Sequence, residues 1–183
     1  DGTYAGLISG SGAVEKDGAG TLTLAPSASS GNTYTGGTVL KQGTLSVSAD
    51  SALGGAAGGV TFDGGTLQLR ASLDLASTRA ISVTSNGGTI DTQGFQSTIN
   101  QGIDGAGTLA KTGSGTLTVN GAVTGTVAAE VQQGTLVLGG SGEQFAGGVT
   151  VDQPAVLQAS AQSLPSAVTA CCGGEFDLQA ALA

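Results

Sequence analysis

The chain has 183 residues, with 34 Gly, 39% hydrophobic, 10% charged and 3% aromatic side chains, and 13 acids against 5 bases for a net charge of −8. The Gly follows no G-X-Y period, which excludes collagen, and low charge with ample apolar content excludes the disordered class. The five cations, Lys16, Lys41, Arg70, Arg79 and Lys111, are dispersed, so the chain lacks the basic stripe that nucleic acid or an anionic lipid surface requires.

No apolar run is long enough for a membrane-spanning helix, and the aromatics are too few to form the two girdles of a transmembrane barrel. The sequence starts at Asp1 with neither Met nor a signal peptide, and is read as a piece of something longer.

Asp1 to Gly12 is a lead-in, with Leu7 and Ile8 among turn-forming glycines. Gly20-Thr-Leu-Thr-Leu24 is the first clear strand, and its alternation puts both leucines on one face. Residues 25–37 are small and turn-forming apart from Tyr34, which is expected to plug a corner of the core with its hydroxyl at the surface. Val39 to Val47 reads strand, Gly turn, strand. Residues 50–59 connect onward, anchored by Leu53, to the cleanest unit, Val60 to Leu69.

Leu73 to Val83 adds two short strands, and Gly88-Thr-Ile-Asp-Thr92 returns to the pattern, followed by Phe95 and Ile99 as core candidates. Gly102 to Val119 repeats the first unit closely, including Gly115-Thr-Leu-Thr-Val119. Gly134-Thr-Leu-Val-Leu138 follows, and then 139–149 echoes 30–38 with Phe145 in place of Tyr34. Two worn copies close the chain, Ala155-Val-Leu-Gln-Ala159 and Gly174-Glu-Phe-Asp-Leu178.

The phrase recurs about every 19 to 27 residues, a stacked-repeat period. A unit of two or three short strands cannot bury its apolar face alone, whereas stacked units can. The expected fold is all-β, a single domain over 1–183: a parallel β-helix (β-solenoid) of about eight coils, right-handed by crossover preference. Its core is expected to be about 40 Å long at roughly 4.8 Å per coil.

One internal ladder is expected to run Leu22, Leu45, Leu67, Ile90, Leu117, Leu136, Leu157, Phe176, and a second Leu24, Val47, Leu69, Thr92, Val119, Leu138, Ala159, Leu178. A Thr row points outward, where its hydroxyls can pair along the stack. An antiparallel sandwich also gives many short strands, but leaves unexplained why one phrase recurs at one coil's length.

The chain has no His, so His-based triads and His metal sites are excluded. Carboxylate pairs for glycoside cleavage would come from Asp74, Asp91, Asp104, Glu130, Glu143, Asp152, Glu175 and Asp177, which the sequence spreads over different coils as solvated surface. No Asp-rich nonapeptide for calcium is present. Cys171 and Cys172 are adjacent, a turn pair aligned with Asp63 or a vicinal disulfide. Their spacing is wrong for a Cys-x-x-Cys redox motif, and replacing both with Ser is expected to leave the fold intact. No catalytic, cofactor-binding or metal-binding residue is assigned, and no cofactor is expected.

Leu109-Ala-Lys-Thr-Gly-Ser-Gly-Thr-Leu-Thr-Val119, Asn32-Thr-Tyr-Thr-Gly-Gly-Thr-Val39 with Gly43-Thr-Leu-Ser-Val47, and Gly87-Gly-Thr-Ile-Asp-Thr92 resemble the autotransporter-associated β-strand repeat of bacterial type V secretion passengers. The resemblance covers nearly the whole chain. It implies a non-enzymatic structural stalk, exported through a C-terminal outer-membrane β-barrel to the cell surface or the medium and presenting an effector or adhesive module. The alternative is an adhesive or self-associating surface for glycans, proteins or neighbouring cells, and a third reading is a polysaccharide-active enzyme. The two ends depart from the family pattern: no barrel and no N-terminal effector is present, and Ala155 and Glu175 stand in the Gly and Thr rows.

Overall fold

The computed structural model describes residues 1–27, 31–141, 144–160, 162–163, 165, 167–171 and 173–179. The alternating Thr-Leu phrases form strands of three to five residues, and each Gly cluster turns the chain into the next side of a prism. The chain opens with β1 (Gly2–Tyr4) and then makes two coils of two strands, β2 (Val14–Lys16) with β3 (Thr21–Leu24), and β4 (Thr38–Leu40) with β5 (Thr44–Val47).

Four coils of three strands follow. They are β6 (Val60–Phe62), β7 (Thr66–Leu69) and β8 (Leu73–Leu75); β9 (Ile81–Val83), β10 (Gly88–Asp91) and β11 (Gln96–Ile99); β12 (Ile103–Gly105), β13 (Thr108–Thr112) and β14 (Thr116–Val119); then β15 (Val123–Gly125), β16 (Ala128–Val131) and β17 (Thr135–Leu138). Two more two-strand coils end the stack, β18 (Val149–Val151) with β19 (Val156–Ser160), and β20 (Val168–Ala170) with β21 (Glu175–Gln179).

Two, four and two coils make eight, as the sequence period predicts. The strands form three parallel sheets: sheet A, β1-β3-β5-β7-β10-β13-β16-β18-β20; sheet B, β2-β4-β6-β9-β12-β15; and sheet C, β8-β11-β14-β17-β19-β21. Among the described residues the only helical piece is a 3-10 turn at Asp50–Leu53, whose Leu53 is buried as expected.

The predicted ladders are correct locally and wrong over the full length. Leu22, Leu45, Leu67 and Ile90 do stack in sheet A, but the column then continues through Lys111, Val131, Val151 and Ala170. Leu117, Leu136, Leu157 and Phe176 form a separate column in sheet C, standing on Leu73 and Ser97. The second ladder divides in the same way. Leu24, Val47 and Leu69 belong to sheet A, while Val119, Leu138, Ala159 and Leu178 follow Leu75 and Ile99 in sheet C.

The cause is a shift of the repeat by one face. In the first four coils the tight Gly corner joins sheet B to sheet A; from the fifth it joins sheet A to sheet C. Among the described residues no sheet C strand stands between β3 and β4 or between β5 and β6, and no sheet B strand between β17 and β18 or between β19 and β20. One sequence phrase therefore serves two different edges of the prism.

Both sets of columns converge on a single apolar core running through the stack, from Leu24 to Ala159. Each fully buried Leu in it is worth about 1.5–3 kcal/mol. The corners demand Gly for steric reasons. Gly43 and Gly134 hold the same place in the two corner types, with φ of 68° and 69°. A Cβ on Gly134 would run into the carbonyl oxygens of Gly113 and Gly115 one coil below. We expect Gly134→Ala to cost on the order of 1–3 kcal/mol, read as a lower urea midpoint at unchanged slope.

Candidate functional site

Two of the buried cations serve the corners. Lys111 occupies an apolar column, between Ile90 and Val131, and is 1% exposed. Its ammonium donates to the carbonyl oxygens of Thr112 (2.8 Å) and Gly113 (2.7 Å) in its own corner, and of Gln133 (3.0 Å) in the next coil. Lys16 does the same at the first corner, donating to Gly18 O (2.6 Å) and Gln42 O (2.9 Å). A charge-assisted bond to a carbonyl is a strong one, and both lysines bridge consecutive coils. In the fourth coil the Thr92 hydroxyl takes this part, donating to Thr112 O at 3.0 Å.

Burial pulls the Lys111 pKa down to about 8, against the opposing pull of the Asp91 carboxylate. An unfolded Lys titrates near 10.4, so between about pH 8 and 10.4 the unfolded chain binds more protons than the folded one. Stability therefore rises with pH across that window. Lys111→Met should flatten this rise relative to the parent chain, by up to about 3 kcal/mol. Urea unfolding of both proteins at pH 7 and pH 10.5 checks it.

Arg79 is 0% exposed. It forms a fork with Asp50, Nε to Oδ1 at 2.7 Å and Nη2 to Oδ2 at 2.9 Å. The remaining donors reach the carbonyls of Leu53 (3.0 Å), Gly58 (2.5 Å) and Gly54 (3.0 Å). One guanidinium thus holds the whole 50–58 connection against the stack. Tyr34 lies beside it, 1% exposed. The packing role expected for Tyr34 holds, but its hydroxyl is internal rather than at the surface, sharing a 2.7 Å hydrogen bond with Thr38 Oγ1. Burial raises the Tyr34 pKa, opposed by the Thr38 bond and the Arg79 charge. The side chain plugs the 31–37 connection, as Phe145, 1% exposed, does in its own.

Of the candidate carboxylates in the described residues, the structure places only Glu175 and Asp177 on one strand, two residues apart in β21, and keeps the others apart. Asp74, Glu175 and Asp177 lie on sheet C, Asp104 on sheet B, and Asp91 and Glu130 on sheet A, while Asp152 follows β18. Glu143 lies outside the described residues. Asp104 accepts from Thr124 Oγ1 at 2.6 Å. Asp91 accepts from Gln68 Nε2 (3.0 Å) and the Gln93 backbone N–H (2.9 Å). Burial pushes its carboxyl up, but those bonds and the Lys111 charge outweigh burial and leave it below the usual value.

A groove of about 410 Å³ beside it is lined by Asp91, Gln93, Gly94, Thr112, Gly113, Ser114 and Gln133, with no second carboxylate. Another, of about 360 Å³, holds Glu130 alone among small residues. Among the described residues no group of three His, Cys, Asp or Glu could hold a metal.

The outward Thr row stands as foreseen, Thr21, Thr44, Thr66 and Thr89 in register, yet no hydrogen bond between their hydroxyls occurs. Cys171 is free and half-buried, and its N–H donates to Val151 O at 2.8 Å. It follows a sheet A strand whereas Asp63 follows a sheet B strand, so the expected alignment of the two fails with the face shift. Cys172 lies outside the described residues.

Sequence reasoning missed the buried cations, reading the five bases only as scattered along the chain. For two of them a signal existed: Lys16-Asp-Gly-Ala-Gly-Thr-Leu and Lys111-Thr-Gly-Ser-Gly-Thr-Leu set the lysine at the same distance from the same corner. Nothing local marks Arg79, whose partners lie 21 to 29 residues earlier.

The family model of the passenger-associated-transport-repeat matches residues 14–47, 109–128 and 133–153. No curated protein and no solved structure matches the chain. The first segment spans the Lys16 corner and the Gly43 corner, and the other two contain the corners of Lys111 and Gly134 after the shift of face. Each matched segment contains a strand–corner–strand step, and that step is what this β-solenoid has in common with the passenger-associated-transport-repeat.

Proposed function

We propose that this solenoid is a structural stalk of a surface-displayed or secreted passenger, supporting export and presentation of an adhesive or effector module. In the parent chain it would act with a C-terminal outer-membrane β-barrel, outside the cell. The observation that carries this reading is how the polar and charged side chains of the interior are used. Lys16, Lys111 and Arg79 are all committed to carbonyl oxygens or to Asp50, and the candidate carboxylates are dispersed over three faces. Such a molecule invests its polar groups in holding coils together rather than in a reaction. Stacked coils also suit export, because each new coil finds a template in the previous one.

The test is a display experiment. The chain is placed between an N-terminal epitope and an outer-membrane barrel, and antibody binding is counted on intact cells. Display should fall when the stack is weakened by Gly134→Ala or Leu67→Ala, in the order of their measured instability. Display that is indifferent to both substitutions would overturn the reading.

A further inference from the structure

The corners that join sheet A to sheet C change length in the middle of the stack. Ile90, Lys111 and Val131 share one column, and Gln96, Thr116 and Thr135 share another. Between these columns the fourth coil has residues 91–95, the fifth 112–115 and the sixth 132–134. The corner thus loses one residue at each step, and the groove of about 410 Å³ lies along these three coils.

Two features of the longest corner are not explained by stacking. Gln93 has a φ of 51°, in the left-handed region where residues with a side chain are uncommon. Such outliers cluster at active sites and ligand clamps. Gly94 next to it is a glycine that neither φ nor packing demands. Its φ is not positive, and a Cβ there would meet only Ser114 Oγ, at 3.7 Å. What glycine achieves at 94 is to keep a side chain out of the groove that it lines.

The groups around the groove limit what it can hold. Asp91 is charged at neutral pH. A carboxylate offers about four lone-pair sites; Gln68 Nε2, the Gln93 N–H and Gln93 Nε2 occupy three of them and fix its orientation. The Thr112 hydroxyl and the Gln133 side-chain amide make no hydrogen bond among the described residues. Lys111 lies behind with its three donors spent on carbonyls, so no cation is offered to a phosphate, sulfate or carboxylate. Its charge offsets that of Asp91. With a single carboxylate in the groove, and no group of three metal ligands among the described residues, a metal ion is not favoured either. No aromatic or long aliphatic side chain lines the groove, which excludes a flat apolar ligand. An uncharged molecule dense in hydroxyls fits what remains, since each hydroxyl can both donate to Asp91 and accept from an amide.

We propose that this groove binds a neutral pyranose unit, with Asp91, Thr112 and Gln133 meeting its hydroxyls and Gln93 positioning Asp91. The volume falls within the range of about 300–1,000 Å³ of small-molecule sites. The site goes beyond the stalk reading and does not rest on it.

Methyl glycosides of glucose, galactose, mannose and N-acetylglucosamine serve as probes, in saturation-transfer NMR followed by titration. One ring held by polar contacts should bind with a Kd of about 1 mM. Gly94→Leu fills the groove from a position where the Cβ makes only ordinary contact, and should abolish the signal at an unchanged urea midpoint. Gln133→Ala, at an exposed residue, should weaken binding about tenfold, and is the second variant should Gly94→Leu unfold. Silence from every glycoside, affinity unchanged by both substitutions, or calcium bound at this groove in place of the glycosides would overturn the proposal.

Discussion

Arg79→Met should lower the unfolding free energy by about 3–5 kcal/mol, the cost of breaking a buried pair from one side. The loss has two parts. The Asp50 carboxylate, only 21% exposed, is left without its counter-charge, and the carbonyls of Leu53, Gly54 and Gly58 lose their donor. Methionine fills most of the arginine stem, so a cavity contributes little to the result. Arg79→Lys keeps the charge but not the fork, and a single ammonium cannot reach Asp50 and all three carbonyls together. We expect it to fall between the parent chain and the methionine variant. Urea denaturation of the three proteins ranks them. If Arg79→Met proves as stable as the parent, the 50–58 connection is held by Leu53 packing alone.

The second large effect concerns position along the stack. Leu67 is buried in the third coil, paired with Leu45 below and Ile90 above. Leu67→Ala is expected to cost about 2–5 kcal/mol. Phe176 stacks on Leu157 on one side only and stands 40% exposed. Phe176→Ala should cost clearly less, because an end coil can open without taking its neighbours with it. Two denaturation curves decide between them. Equal losses would mean that the last coil is a packed cap.

The fold was legible because its signal is repetition. Alternating Thr and Leu behind a Gly set each strand, and the period set the number of coils. The shift of face after the fourth coil was not legible, because Gly115-Thr-Leu reads the same whether the corner joins sheets B and A or sheets A and C. The connections change elsewhere, β8 first appearing in the third coil and β18 following β17 without a sheet B strand between them among the described residues, so they do not mark the fourth coil either. Lys111 escaped for the same reason. A lone cation in a Thr-rich strand reads as surface until its register places it between Ile90 and Val131. The candidate carboxylates in the described residues are spread over coils as read, except Glu175 and Asp177, which share β21; those separated by whole coils and by faces of the prism cannot meet on a rigid stack.

The shift of face also sets where this molecule can carry added parts. The connections that skip sheet C follow β3 and β5, and those that skip sheet B follow β17 and β19. Peptides grafted just after β3 and just after β17 would therefore start from different sheets as well as from different coils, not side by side in one line.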